Sequence, residues 1–276
     1  GIDFRDFEIQ NDAQREQALR RFAKDGFSPV LAVGFSQASA VEKVAKEFPD
    51  TKFTIIDMVV DAPNVQSVVF KEHEGSFLVG VLAAKASKTG KVGFVGGMDI
   101  PLIRRFACGY VQGAKAANPK IEVFQNMTGT TGAAWNDPVK GAELAKSQID
   151  RGADVVYHAA GGTGVGVLRA AADAGKLGIG VDSNQNGMHP GKVLTSMLKR
   201  VDNATIASFT AAKDGTWKAG VTVLGLKENG VGWALDDNNK ALITADLKTA
   251  VDAASADIVS GKVQVHDYMS DSKCPD

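Results

Sequence analysis

The strongest constraint on the fold of this chain is a rhythm. Short runs of consecutive apolar residues, such as PVLAVGF at 29–35, KFTIID at 52–57 and KVGFVG at 91–96, alternate with stretches of helical apolar period. A strand that is apolar on successive residues must be buried on both faces. Helical crossovers supply that cover, so the pattern specifies parallel α/β sheets. Strands are predicted at 2–9, 29–35, 52–57, 65–70, 91–96, 121–126, 153–158 and 177–181, and helices at 12–25, 38–48, 75–88, 101–117, 137–151 and 165–174. Pro49 ends one helix, while Pro101 and Pro138 suit the first turn of others, where a missing N–H costs nothing.

The rhythm runs in two series with Gly90 between them, which predicts two doubly wound α/β lobes. After Asp182 a strand at 192–199, a helix at 203–214, a strand at 221–227 and a helix at 241–260 follow. A tail returning to both lobes makes each discontinuous: residues 1–90 with 194–220, and 91–193 with 221–276.

Charge excludes some partners. Lys and Arg number 31 against 32 Asp and Glu, so no basic excess exists to neutralise phosphates, and nucleic acid is not expected. Apolar runs fall well short of the roughly 20 residues a spanning helix needs. His73, His158, His189 and His266 are scattered without H-x-x-x-H spacing, so no metal is expected, and no cofactor motif is present. The two cysteines, Cys108 and Cys274, either pair in an oxidising compartment or sit as small buried hydrophobes. Gly109 and Gly113, four apart on a predicted helix, permit close helix packing.

Open parallel sheets bind ligands beyond the carboxyl ends of their strands. At those ends stand Phe35, Ser36, Asp57, Met98, Asp99, Asn126, the 161–166 glycine run and Asp182. Asp182 closes the apolar strand GIGVD and either aims its carboxylate into the crevice or caps a turn. Lys199 ends another strand, where it reaches the same crevice or lies solvated. Trp135, in the loop TGAAWNDP, is either a stacking platform for a flat ring or a lid on the local core; Asn136 or Asp137 caps the next helix. The GGTGVG run fails G-x-G-x-x-G, because Val167 stands where the last glycine belongs, so its glycines serve close backbone approach or tight helix packing. Gly34-Phe35-Ser36-Gln37-Ala38 has the spacing of a nucleophile elbow, for which Asp182 and His266 are the partners in sequence order. The competing reading makes Ser36 a helix cap.

Several ordered motifs carry a resemblance. Phe48-Pro49-Asp50 with KFTIID, then APNVQSVVFKEHEGSFLVGVLAAKASKTGKVGFVGGMDIP, FACGYVQGAKAANP, RGADVVYHAAGGTGVGV, GIGVDSNQ and VLTSMLKRVD, resembles the basic membrane protein family of bacterial solute-binding proteins over residues 2–268. Members include purine-nucleoside receptors of ABC importers. The resemblance implies a type I periplasmic-binding-protein fold with a hinge and an interlobe cleft. It implies no enzymatic activity, a purine nucleoside or base as ligand, and lobes that close over that ligand. A monomer in the periplasm or anchored on the outer face of the cell membrane is expected, delivering to an ABC permease. A hydrolase using Ser36, or the ligand-sensing domain of a regulator or receptor, is the competing class.

By that resemblance Asp182 accepts from the ribose hydroxyls and Lys199 donates to ribose oxygens. Trp135 stacks on the base at a position where the family usually has Phe. Gly161 and Gly162 admit close backbone approach, and Phe35 and Met98 are walls. Asn184 stands where the family often has a second aspartate. The family also begins with a further βα unit, whose Asp-Lys-Ser-Phe-Asn-like run supplies a second aromatic. Its strand lies inside the first lobe's sheet, so residues before Gly1 are expected in the native protein.

Overall fold

The computed structural model describes residues 2–275. In chain order the elements are α1 (Ala13–Lys24), β1 (Val30–Val33), α2 (Ala38–Glu47), β2 (Phe53–Ile56), β3 (Val65–Phe70), α3 (Glu72–Ala86), β4 (Lys91–Met98), α4 (Pro101–Ala117), β5 (Glu122–Gly129), α5 (Pro138–Asp150), β6 (Val155–Ala159) and α6 (Gly164–Asp173). They continue as β7 (Leu177–Asp182), β8 (Val193–Lys199), α7 (Val201–Lys213), β9 (Gly220–Leu224), β10 (Val231–Trp233), α8 (Ala245–Val259) and α9 (Tyr268–Asp271). Short 3₁₀ turns at Phe35–Gln37, Gly132–Trp135, Gly161–Thr163 and Asn186–Met188 follow β1, β5, β6 and β7.

Two compact units result, Gly1–Phe70 with Arg200–Leu224 and Lys71–Lys199 with Gly225–Asp276. Both are discontinuous, but their borders differ from the expected 1–90 with 194–220 and 91–193 with 221–276. α3 belongs to the second unit because it packs backbone-to-backbone on α4. Gly109 and Gly113 lie against the backbones of His73 and Phe77, where a side chain would not fit. β8 belongs there too, since it is hydrogen-bonded to β7. The strand predicted at 221–227 is β9, and it joins the first unit's sheet beside β3.

The first unit holds a parallel sheet in the order β1-β2-β3-β9. β2 is buried along its whole length and, with Val41, Val44 and Val65, forms the core under α1 and α2. The Asn64 side-chain amide reaches the carbonyls of Ala45, Phe48 and Thr51, closing the turn after α2. Thr54 meets Ser208 of α7 at 2.8 Å. β1 is an edge strand with one neighbour, β2. The segment 2–9, expected as a strand, pairs with nothing in a sheet, and Phe4 is 70% exposed. An apolar groove of about 750 Å³ separates the two, lined by residues of that segment, β1, α1 and α7. A strand needs a paired neighbour to satisfy its backbone, and among the described residues no strand pairs with this segment.

The second unit holds a sheet in the order β10-β8-β7-β6-β4-β5, parallel except for β10. α5 and α6 cover one part of it through Val95, Phe124, Ala145, Val156 and Val167. α3 is buried at every residue from Glu72 to Ala84, as a helix sandwiched between layers must be. Cys108 of α4 and Cys274 form a disulfide. No helix among the described residues is long and apolar enough to cross a membrane, and no cluster of potential metal ligands occurs among them.

Candidate functional site

In the six-stranded sheet the chain passes from β4 outward to β5 and then crosses back to β6 on the other side of β4. The carboxyl ends of β4 and β6 therefore flank the topological switch point, where open α/β sheets form a crevice. Trp135 sits there. Its indole lies against Gly97 beside the Ala160 backbone, and against Gly161. A Cβ on Gly97 would strike the six-membered ring, so the second glycine of GGMDIP exists to seat the tryptophan. Gly161, at φ +55°, turns the chain at the ring's edge, and Gly162 faces the Trp135 carbonyl. Trp135 is half-buried in this seat. The remaining glycines of the 161–166 run serve packing: Gly164 lies on the His158 imidazole and Gly166 on the Pro138 carbonyl.

The loop carrying Trp135 is pinned from both ends. Thr163 Oγ1 donates to the Ala134 carbonyl and accepts from Asp137 N–H, each at 2.8 Å. The Asp137 carboxylate accepts from Lys140 N–H at 2.9 Å, capping α5 as one of the two residues expected to do so. Met98, last in β4 and opposite Gly129, is half-buried at the same end of the sheet.

Asp182 ends β7 in the left-handed region, φ 63°, with its side chain exposed. A non-glycine residue there is held by its surroundings. Gln185 accepts from Val181 N–H and from His158 Nε2, both at 2.9 Å, and its own N–H donates to Ser196 Oγ. Asn184 is drawn away from the end of β7, donating to Asp236. His158 is wholly buried, and burial pushes its pKa down to about 4, against the opposing effect of the Gln185 contact.

Lys199 ends β8, one residue past Leu198, the register partner of Asp182. Its side chain is 5% exposed, with Nζ 3.6 Å from Glu72 Oε1 and 6.0 Å from the Phe106 ring centroid. Glu72, 1% exposed at the start of α3, also accepts from Arg105 Nη1 at 3.0 Å. Arg105 in turn makes two parallel hydrogen bonds to Asp267 on the C-terminal tail. The Tyr157 hydroxyl is pushed well above its ordinary pKa, first by burial and further by the carboxylates of Asp182 and Glu72.

Trp135, Met98, Gly161, Gly162, Asp182 and Lys199 thus stand along one edge of one sheet. Phe35 belongs to the first unit, half-buried in the turn after β1. The reading of residues missed Glu72 and Arg105. A signal was present: two glutamates and a histidine, in KEHEG, open a helix that is otherwise mostly apolar and is buried through Ala84, and such charges require partners.

Ser36 does not build a hydrolytic centre. It is exposed in the first unit, and no side-chain bond caps the helix that follows. The His266 imidazole, the base that such a centre would need, pairs instead with Asp271 at 3.0 Å.

A sequence model described as ABC transporter substrate-binding protein, PnrA-like, matches residues 2–268. An ABC transporter nucleoside-binding protein of Lactococcus lactis is 36% identical over 261 residues, covering 88% of this chain and 72% of that protein. Basic membrane protein A of Borreliella afzelii is 32% identical over 248 residues, covering 87% and 74%. The crystal structure of an ABC transporter solute-binding protein from Aeropyrum pernix superposes with a TM-score of 0.82 at 28% identity, covering 93% of this chain and 82% of that one.

Proposed function

The chain belongs to the PnrA-like family of ABC transporter substrate-binding proteins, and from that premise we propose that its ligand is a purine nucleoside, gripped at the carboxyl edge of the six-stranded sheet. The family is one of binding proteins, so the chain captures its substrate without transforming it. The fold is the type I periplasmic-binding-protein fold of its structural neighbours.

One observation carries the ligand assignment: an indole at the switch point shares its sheet edge with a carboxylate ending β7 and an ammonium ending β8. A planar heterocycle stacks on an indole. A carboxylate offers two acceptor oxygens to two vicinal hydroxyls, the pattern a ribose presents. The ammonium donates to a sugar oxygen and offsets the acid's charge. Gly161, Gly162 and Met98 line the base side of this grip. The Lactococcus relative is named for nucleoside binding, which agrees. The protein then works outside the cell membrane as a monomer and hands the nucleoside to an ABC permease.

A thermal-shift panel of nucleosides, free bases and sugars tests this, because a ligand that binds only the folded state raises its melting temperature. Adenosine, guanosine or inosine should give the largest shifts. A panel in which sugars stabilise and no nucleoside does removes the assignment.

A further inference from the structure

We propose that Lys199 is set in place from the C-terminal tail by a chain of alternating charge, in which Asp267 holds Arg105, Arg105 holds Glu72, and Glu72 holds Lys199. Glu72 and Asp267 are then positioning residues. The role given to Lys199 rests on the nucleoside reading above, but the charge chain itself does not.

The physical case begins with Glu72. A carboxylate buried to 1% exposure is costly unless cations meet both oxygens, and here Arg105 meets Oε2 at 3.0 Å while Lys199 stands 3.6 Å from Oε1. The lysine ammonium is a point charge on a flexible stem, and holding it before a ligand arrives removes an ordering cost from binding. Arg105 has a rigid planar fork, so where that fork points depends on its other partners. Asp267 is such a partner and holds the fork by two bonds, at 2.8 and 2.7 Å.

The tail delivers this carboxylate and little else. No residue from 261 to 275 is fully buried, and the tail's apolar contribution is limited to the half-buried Val263, Val265 and Tyr268. Its hold comes from one face of α4. Arg105, Cys108 and Gln112 lie at i, i+3 and i+7, and each grips it: Arg105 through Asp267, Cys108 through the disulfide to Cys274, and Gln112 through paired bonds to the His266 backbone at 3.0 and 2.8 Å. Three anchors on one stripe fix Asp267 relative to Arg105.

Removing a link has a direct electrostatic consequence. The ammonium faces Glu72 directly, Glu72 faces Arg105, Arg105 faces Asp267, and the charges of Asp267, Arg105, Glu74 and Lys71 act on the neighbouring His73. Without the Glu72 charge, burial and Arg105 both disfavour the protonated lysine. Without the Asp267 charge, Arg105 is left in excess beside Glu72, and the same effect follows more weakly.

The test is a pH titration of the Lys199 signal by NMR in protein labelled with ε-13C lysine, assigned by its loss in Lys199→Met. Glu72→Gln should lower the midpoint by more than about one pH unit, and Asp267→Asn by roughly half a unit, with Asp267→Glu restoring it. A wild-type midpoint in either Glu72→Gln or Asp267→Asn overturns the proposal. Should Glu72→Gln fail to fold, Asp267→Asn, at a half-buried position of the tail, still decides. By calorimetry Asp267→Asn should weaken adenosine roughly three- to tenfold and leave adenine unchanged, while unchanged adenosine affinity also overturns it. Wild-type protein that binds no adenosine sinks the nucleoside reading alone, since the titration needs no ligand.

Discussion

Arg105 and Asp267 meet fork to fork, Nε to Oδ1 at 2.8 Å and Nη2 to Oδ2 at 2.7 Å, across 162 residues of sequence. Burial alone would raise the Asp267 carboxyl, but the Arg105 hydrogen bonds and the Met269 N–H outweigh it and hold the pKa below the ordinary range. A carboxyl depressed in the folded state contributes its stability above the unfolded pKa, about 3.9, and loses it as pH falls through the folded value. The tail should therefore release below about pH 4, which hydrogen exchange of the amides after Gln264 will read as lost protection confined to that segment. Protection that persists at pH 3 contradicts the pairing.

The disulfide makes the same tail a matter of covalent bonding. It closes a loop of 166 residues, so its removal frees a large part of the unfolded ensemble. Cys274→Ser should cost about 2–5 kcal/mol in denaturant unfolding. The variant should also lose tail protection at neutral pH, where the wild type keeps it. A midpoint equal to that of the wild type would place the tail outside the cooperative unit.

Much of this architecture was legible in the sequence, and the reasons are physical. β2, β4 and β6 read as strands because buried parallel strands are apolar on both faces and these runs are short. The places of Asp182 and Lys199 at strand ends were legible because each closes such a run. What escaped were features set by distant neighbours. The second glycine of GGMDIP looks like a turn until Trp135, 38 positions later, is found resting on it. Glu72 looks like a helix-start acid until Arg105 and Lys199 arrive from two other elements. The segment 2–9 has strand composition, yet a strand is made by its neighbour, and periodicity holds no information about whether one is there.

Acid should weaken the second unit through its histidines before the carboxylates respond. His73 and His158 are buried, and desolvation drops each pKa from 6.5 to about 4. The unfolded chain binds these protons from pH 6.5 downward and the folded one does not, so stability falls between pH 6.5 and about 4 and levels off below. Each histidine contributes a loss on the order of 3 kcal/mol across that window. Denaturant midpoints measured at half-unit steps should trace this slope, and His158→Gln should flatten part of it. A profile flat from pH 7 to 5 is inconsistent with either ring being buried neutral.

Asp182 provides the sharpest discrimination between ligands. If its carboxylate accepts two ribose hydroxyls, Asp182→Ala should weaken a nucleoside by about 1.5–3 kcal/mol per charge-assisted bond and leave the free base almost untouched. Calorimetry with adenosine and adenine separates the two. Equal losses for both would take the ribose from Asp182 and assign the residue to the β7 turn alone.

The seat of Trp135 can be tested without touching the indole. Gly97→Ala adds one methyl where the ring now lies, with the Ala160 backbone close beside it, so the ring must shift to make room. Affinity for nucleoside and base should then fall together, by up to the roughly 1–3 kcal/mol that Trp135→Ala itself removes through lost stacking. Tryptophan emission should move with it, because the half-buried indole becomes wetter. Gly132→Ala, in the same loop with open space where its Cβ would point, is the control and should change neither signal. Loss of affinity in Gly97→Ala without an emission change would mean that the methyl acts on the ligand directly. The indole's place at the switch point would then be incidental to binding.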